Sequence, residues 1–146
     1  MRCRRFSFLI TAVLLAGLIA APAQGQSDDE RTATAKKAAA EWLDLVDAND
    51  YDASWEEAAS LLKSQVTAEQ WAVQVQQVHD QLGEFQERSL IAARYTTSLP
   101  NVPDGEYVIA QYRAQFSNQT VIETATLAKE GSTWRIAGYF VRPENQ

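Results

Sequence analysis

Cysteine occurs once in the 146 residues, as Cys3, and histidine once, as His79. Because Cys3 lies ahead of an N-terminal apolar stretch, the rest of the chain has no thiol, which excludes disulfides and thiolate-bound metals there. A single histidine rules out histidine clusters and the paired-histidine zinc helix, and any serine triad would depend on that one ring. The six glycines form no phosphate loop, no dinucleotide fingerprint and no G-x-S-x-G elbow. Familiar hydrolase, kinase and dehydrogenase chemistry therefore has no footing, and no cofactor or metal is expected. Basic residues are scarce as well: 13 Lys and Arg stand against 19 Asp and Glu, a formal charge of -6. A broadly acidic surface repels DNA, RNA and anionic lipid, so no nucleic-acid partner is expected.

Long apolar runs are absent except at the front. "MRCRRFSF" is basic, "LITAVLLAGLIA" is apolar and "APA" ends in small residues at Ala23, the three parts of a secretory signal. Its apolar core, Phe8 to Ala21, is shorter than the roughly 20 residues a spanning helix needs, so cleavage after Ala23 is expected, with no stable membrane insertion afterwards. Cys3 precedes the core and cannot be the lipidated cysteine of a lipoprotein signal. The expected product works in a periplasm or outside the cell. It keeps about 123 residues with 10 basic against 19 acidic side chains, enough for one domain. The expected division is a signal peptide over 1–23, a flexible leader over 24–31, a single domain over 32–142 and a short tail over 143–146.

Within the domain the hydrophobic period changes once. Thr32 to Asp47 carries helix formers, with Ala35, Ala38, Ala39, Trp42, Leu45 and Val46 on one face. Ser54 with Glu57 reads as a capping box opening a short helix over 54–62, which turns Trp55, Ala58, Ala59 and Leu62 inward. Thr67 with Gln70 repeats that signature, and Trp71, Val75, Val78 and Leu82 form the stripe of a helix over 67–82 that stops at Gly83. Beyond it, residues 86–99, 106–117, 119–130 and 132–141 read as strands, with "SNQT" and "KEGS" short enough for hairpin turns. Three helices followed by four largely antiparallel strands make an α+β domain with helices on one sheet face.

The residues able to carry chemistry are few. His79 either borders a pocket as an acid or base or rests on the helix surface beside Asp80 and Gln81. Asp47, Asp50 and Asp52 suggest a calcium loop, but the glycine and closing glutamate such a loop needs are missing, and caps and turns account for them. Asn118 opens an N-x-T sequon that a turn explains equally well. In the second strand Val108, Ala110, Tyr112, Ala114 and Phe116 share one face. In the third, Glu123 alternates with Ile122 and Thr124. A buried Glu123 would need a partner, Arg88 or Arg94; otherwise these charges lie solvated on an open face. In the last strand Trp134, Ile136 and Phe140 read as core packing residues, Gly138 as a bulge or close approach, and Tyr139 as nearer a cavity mouth.

"NDYDASWEEAA", "EQW", "PDGEYVIAQYRAQF", the strand containing Glu123 and the final "WRIAGY" resemble the bacterial family called domain of unknown function 4019. The resemblance implies a small exported protein of the cone-shaped kind, cystatin-like or nuclear-transport-factor-2-like (NTF2-like), in which helices pack on a curved four-stranded sheet and leave a pocket. It directs attention to Trp71, Arg88, Tyr112, Glu123 and Tyr139, which with His79 are the pocket candidates; it brings no catalytic residue. The expected function is a non-enzymatic module binding a small molecule or a protein partner. The alternatives are a small enzyme using Glu123 or His79 as acid or base, and a structural homodimer.

Overall fold

The computed structural model describes residues 26–145, so the expected signal peptide over 1–23 lies outside the described residues. Helix α1 spans Asp28–Asp47, and Ser27 and Glu30 close a capping box at its start. Asp28, Asp29 and Glu30 also meet the positive end of the helix dipole. The helix thus opens inside the stretch expected to be a flexible leader, because a local cap outweighs polar composition. Its buried face is Ala35, Ala39, Trp42, Leu43 and Val46, with Leu43 taking the place expected for Leu45.

The expected second helix is two helices, α2 over Tyr51–Glu56 and α3 over Ser60–Gln65. The cap of α2 is Asp50, whose side chain accepts from the Ala53 N–H, and Ser54 sits buried inside the helix rather than at its start. The break between α2 and α3 ties the helices to the sheet, since the Ala59 N–H donates to the Ile136 carbonyl at 2.7 Å. Helix α4, Ala68–Leu82, has the expected Thr67 and Gln70 capping box and ends at Gly83. Gly83 is needed twice: its φ is +82°, and a Cβ there would stand 2.0 Å from Ser117 Oγ in the turn that docks on the helix end. The buried stripe of α4 is Trp71, Val75, His79 and Leu82. Val78, expected in that stripe, is 38% exposed, and His79 takes its place inside.

The strands are β1 (Phe85–Thr96), β2 (Tyr107–Phe116), β3 (Thr120–Glu130) and β4 (Thr133–Pro143), in spatial order β1-β2-β3-β4 and antiparallel throughout. The chain is therefore an α+β fold with several helices packed against a four-stranded antiparallel sheet. Val108, Ala110, Tyr112, Ala114 and Phe116 are all buried on the helix-facing side, as their alternation indicates. Ala93, Ala110 and Ala125 stand in register with Tyr139 across the four strands, and these short side chains share one core with Trp42 and Trp71.

One irregularity changes the reading of β4. Thr126 pairs with Gly138 but Leu127 pairs with Ile136, so Ala137 is an extra residue at a bulge beside Gly138. An extra residue reverses which side chains face the core. Trp134 and Ile136 are buried, Tyr139 then points inward, and Phe140 is 72% exposed instead of packing in the core. The strand also runs past the expected end of the domain, and Glu144 in the expected tail holds Arg113 at 2.6 Å. Among the described residues no helix is long and apolar enough to cross a membrane.

Candidate functional site

Glu123 lies in the middle of β3 with none of its surface exposed. Arg88 on β1 donates to it twice, Nε to Oε2 at 2.5 Å and Nη2 to Oε1 at 3.1 Å, and the Tyr139 hydroxyl donates to Oε1 at 2.6 Å. The other edge of the Arg88 guanidinium grips Asp47 at the end of α1, at 2.7 and 3.0 Å. A planar fork between two carboxylates is a geometry arginine provides and lysine does not. Burial alone would depress the Arg88 pKa, yet its hydrogen bonds to Asp47 and Glu123 and their charges raise it. Burial, followed by the Glu123 charge and hydrogen bond, raises Tyr139 well above an ordinary phenol, so it serves as a neutral donor. Two carboxylates around one guanidinium leave a formal surplus of one negative charge.

Of the two arginines considered for Glu123, the structure uses Arg88; Arg94 is exposed. In the sequence Asp47 stands out only as part of an acidic run. One signal for its role was available: a carboxylate in the last turn of a helix opposes the dipole, and α1 has no basic residue there, so a cation from elsewhere is needed.

Ser54 forms a second buried polar centre. Its carbonyl accepts from Trp42 Nε1 at 2.7 Å, its hydroxyl accepts from Trp71 Nε1 at 2.9 Å, and that hydroxyl donates to the Tyr51 carbonyl at 2.8 Å. Both indoles are thereby fixed in orientation, and each meets the Tyr139 ring, with centroids at 5.4 and 6.4 Å. Trp71, a pocket candidate, thus helps to fill the space between the helices and the sheet.

The remaining candidates behave differently. Tyr112 pairs in register with Glu123 and is buried, but its hydroxyl has no hydrogen-bond partner. Burial raises its pKa, with Arg88 opposing and Glu123 adding to the rise. His79 is only 6% exposed, its ring set edge-on against Phe116 and Tyr51, and its Nε2 has no partner. Burial lowers its pKa, against the opposing pull of Asp47 and Glu123, so the ring is neutral at pH 7. His79 also lines an open cleft of about 550 Å³ with Asp47, Asp80, Glu84 and Phe85. The structure therefore joins Arg88, Glu123 and Tyr139 directly, sets Tyr112 and Trp71 beside them, and places His79 on the cleft side of Asp47. A second open cleft, of about 410 Å³, lies between α1 and β4 around Trp42, Glu41, Trp134 and Arg135, none of them a pocket candidate from the sequence. Among the described residues no group of three or more metal-ligating side chains is placed to hold an ion.

The family model described as "Protein of unknown function (DUF4019)" matches residues 38–139. The chain belongs to the DUF4019 family. The DUF4019 match runs from the middle of α1 to Tyr139, so it contains the whole Arg88 and Glu123 cluster and the Ser54 centre. No curated protein matches the chain by sequence.

Proposed function

We propose that this DUF4019 protein is an exported, non-enzymatic module that binds a small molecule or a protein partner in a periplasm or outside the cell. The signal-like N-terminus supports export, and the helices on one face of an antiparallel sheet suit a cone-shaped, cystatin-like or NTF2-like scaffold. The observation that carries the non-enzymatic reading is the state of Glu123. A general base needs a lone pair within reach of substrate, whereas Glu123 is wholly buried and receives donors from Arg88 and Tyr139. The space above the sheet is occupied by Trp42, Trp71 and Tyr139, so recognition falls to the rim. The cleft beside His79 is the favoured site, because it joins the acidic groups Asp47, Asp80 and Glu84 with the Phe85 ring in an open concave surface.

Native mass spectrometry of the protein recovered from its own periplasm or medium tests this reading. A discrete bound mass that is lost on His79→Trp, which fills the inner wall of the cleft, is expected. Protein that carries no added mass and takes none from an extract of the same compartment would sink it. Edman sequencing of the same sample tests export, with Gln24 expected as the first residue.

The enzymatic alternative rests on His79, a neutral ring that lines the cleft, although its Nε2 is as buried as Glu123. On that reading an extract metabolite is consumed by the native protein and left intact by His79→Gln.

A further inference from the structure

The two edges of the sheet are protected unequally. β1 carries Glu87, Arg88 and Arg94 and is bulged at two places, features that discourage pairing with another strand. β4 is uncharged from Ile136 to Val141. Its first half is nonetheless covered, by the Ala59 N–H on the Ile136 carbonyl and by Arg135 reaching the Glu57 carbonyl at 3.1 Å. From Gly138 to Val141, among the described residues, no backbone group of another element bonds to the outer edge. Alongside runs an apolar groove of about 160 Å³, walled by Trp71, Val75 and Val78 of α4 and by Tyr139, Phe140 and Val141. Phe140, 72% exposed, stands at this edge.

We propose that this edge pairs with the same edge of a second copy, antiparallel about a two-fold axis at Phe140. The stretch Gly138-Tyr-Phe-Val-Arg142 suits such self-pairing in this register. Phe140 meets Phe140 of the second copy, Tyr139 meets Val141, and Arg142 meets Gly138, so no like charges stand directly opposite. A foreign charged segment finds no selecting charge, since the groove walls are apolar apart from Gln74. The acidic charge of the chain opposes association at long range, but added salt screens it within about 8 Å at physiological strength. Self-pairing therefore strengthens as salt is raised. The inference is independent of what the cleft beside His79 binds.

Glycine at 138 makes the register testable. A Cβ there meets only ordinary contacts, with Phe140 at 3.7 Å and Thr126 at 3.8 Å, so a side chain is tolerated within one copy. Gly138→Lys sets a like charge against Arg142 of the second copy, and Gly138→Glu sets an opposite one. Sedimentation of protein expressed from the full-length sequence should show a dimer for the native chain, monomer for Gly138→Lys and Phe140→Glu, and a retained or tighter dimer for Gly138→Glu. In a Cys3→Ser background, Phe140→Cys places two thiols on Cα atoms about 4.5–5.5 Å apart, within disulfide reach, and should cross-link on oxidation. Ile91→Cys, exposed on β1, should not. Circular dichroism checks that each variant is folded. A native chain that is monomeric at all concentrations, equal cross-linking at Ile91, identical behaviour of the two Gly138 variants, or an added mass belonging to another protein would each overturn self-pairing.

Discussion

Glu123 and His79 are both polar, both buried and both in the same half of the molecule, yet they are opposites in how their atoms are matched. Glu123 receives three donors from two side chains, and its main partner, Arg88, is itself held by Asp47. His79 lies between two aromatic rings with a nitrogen that nothing in the protein meets, next to an open cleft. Burial of a polar group is tolerated when it is fully hydrogen-bonded and costly when it is not. The first arrangement is a fully matched buried centre, and the second leaves a buried atom unmatched beside an open cleft. The feature that drew attention to Glu123, a charge on an apolar face, is therefore matched by packing and hydrogen bonds here.

Substitutions should separate the two. Glu123→Ala leaves the Arg88 charge short of a buried partner and should cost about 3–5 kcal/mol, the range for breaking a buried ion pair, read as a lower urea midpoint. Ser54→Ala removes the acceptor of Trp71 Nε1 and should cost about 1–3 kcal/mol, with a change in tryptophan emission. Tyr139→Phe takes one of three donors from Glu123 and should fall in the same range or slightly below. His79 should reveal itself through pH. Burial holds its folded pKa below the 6.5 of an ordinary histidine, so the unfolded chain takes up the proton first. The His79 contribution should hold above pH 6.5, diminish as the pH falls from 6.5 to the lowered folded value, and change no further below it. Comparing urea midpoints of the native chain and His79→Phe across that window isolates the effect, since the variant lacks this part of the acid sensitivity. The smallest expected change is Tyr112→Phe, within about 0.5 kcal/mol or mildly stabilising, because the hydroxyl removed has no partner to lose. A large loss on Tyr112→Phe, or a small one on Glu123→Ala, would break the contrast between a matched and an unmatched centre.

Local chemistry made several elements legible. The Thr67 and Gln70 capping box, the stop at Gly83, the hairpin turns and the apolar face of β2 depend on neighbours a few residues apart, and each is where its pattern places it. The second helix departs from the expected bounds because Ser54 carries a capping pattern but lies one turn inside a helix already capped by Asp50. There its hydroxyl serves Trp71, a residue 17 positions away, which no local pattern encodes. The stripe of α4 was displaced from Val78 to His79 because helical spacing admits both, and only the surrounding Phe116 and Tyr51 rings decide which turns inward.

By itself, then, the sequence determined the element types, most of their ends, the antiparallel hairpins and the faces of the regular strands, because caps, turns and periods act over one or two turns of chain. Tertiary structure decided depth and partnership. Alternation says that Glu123 and Val121 share a face, but not that the face is closed to water. Arg88 and Asp47 are 41 residues apart and meet only after α1 has settled on the sheet. The fate of Phe140 rested on one extra residue: the Gly138 signal was visible, yet whether the chain bulges there is set by pairing with β3, and that single step moved Tyr139 into the core and Phe140 to the edge.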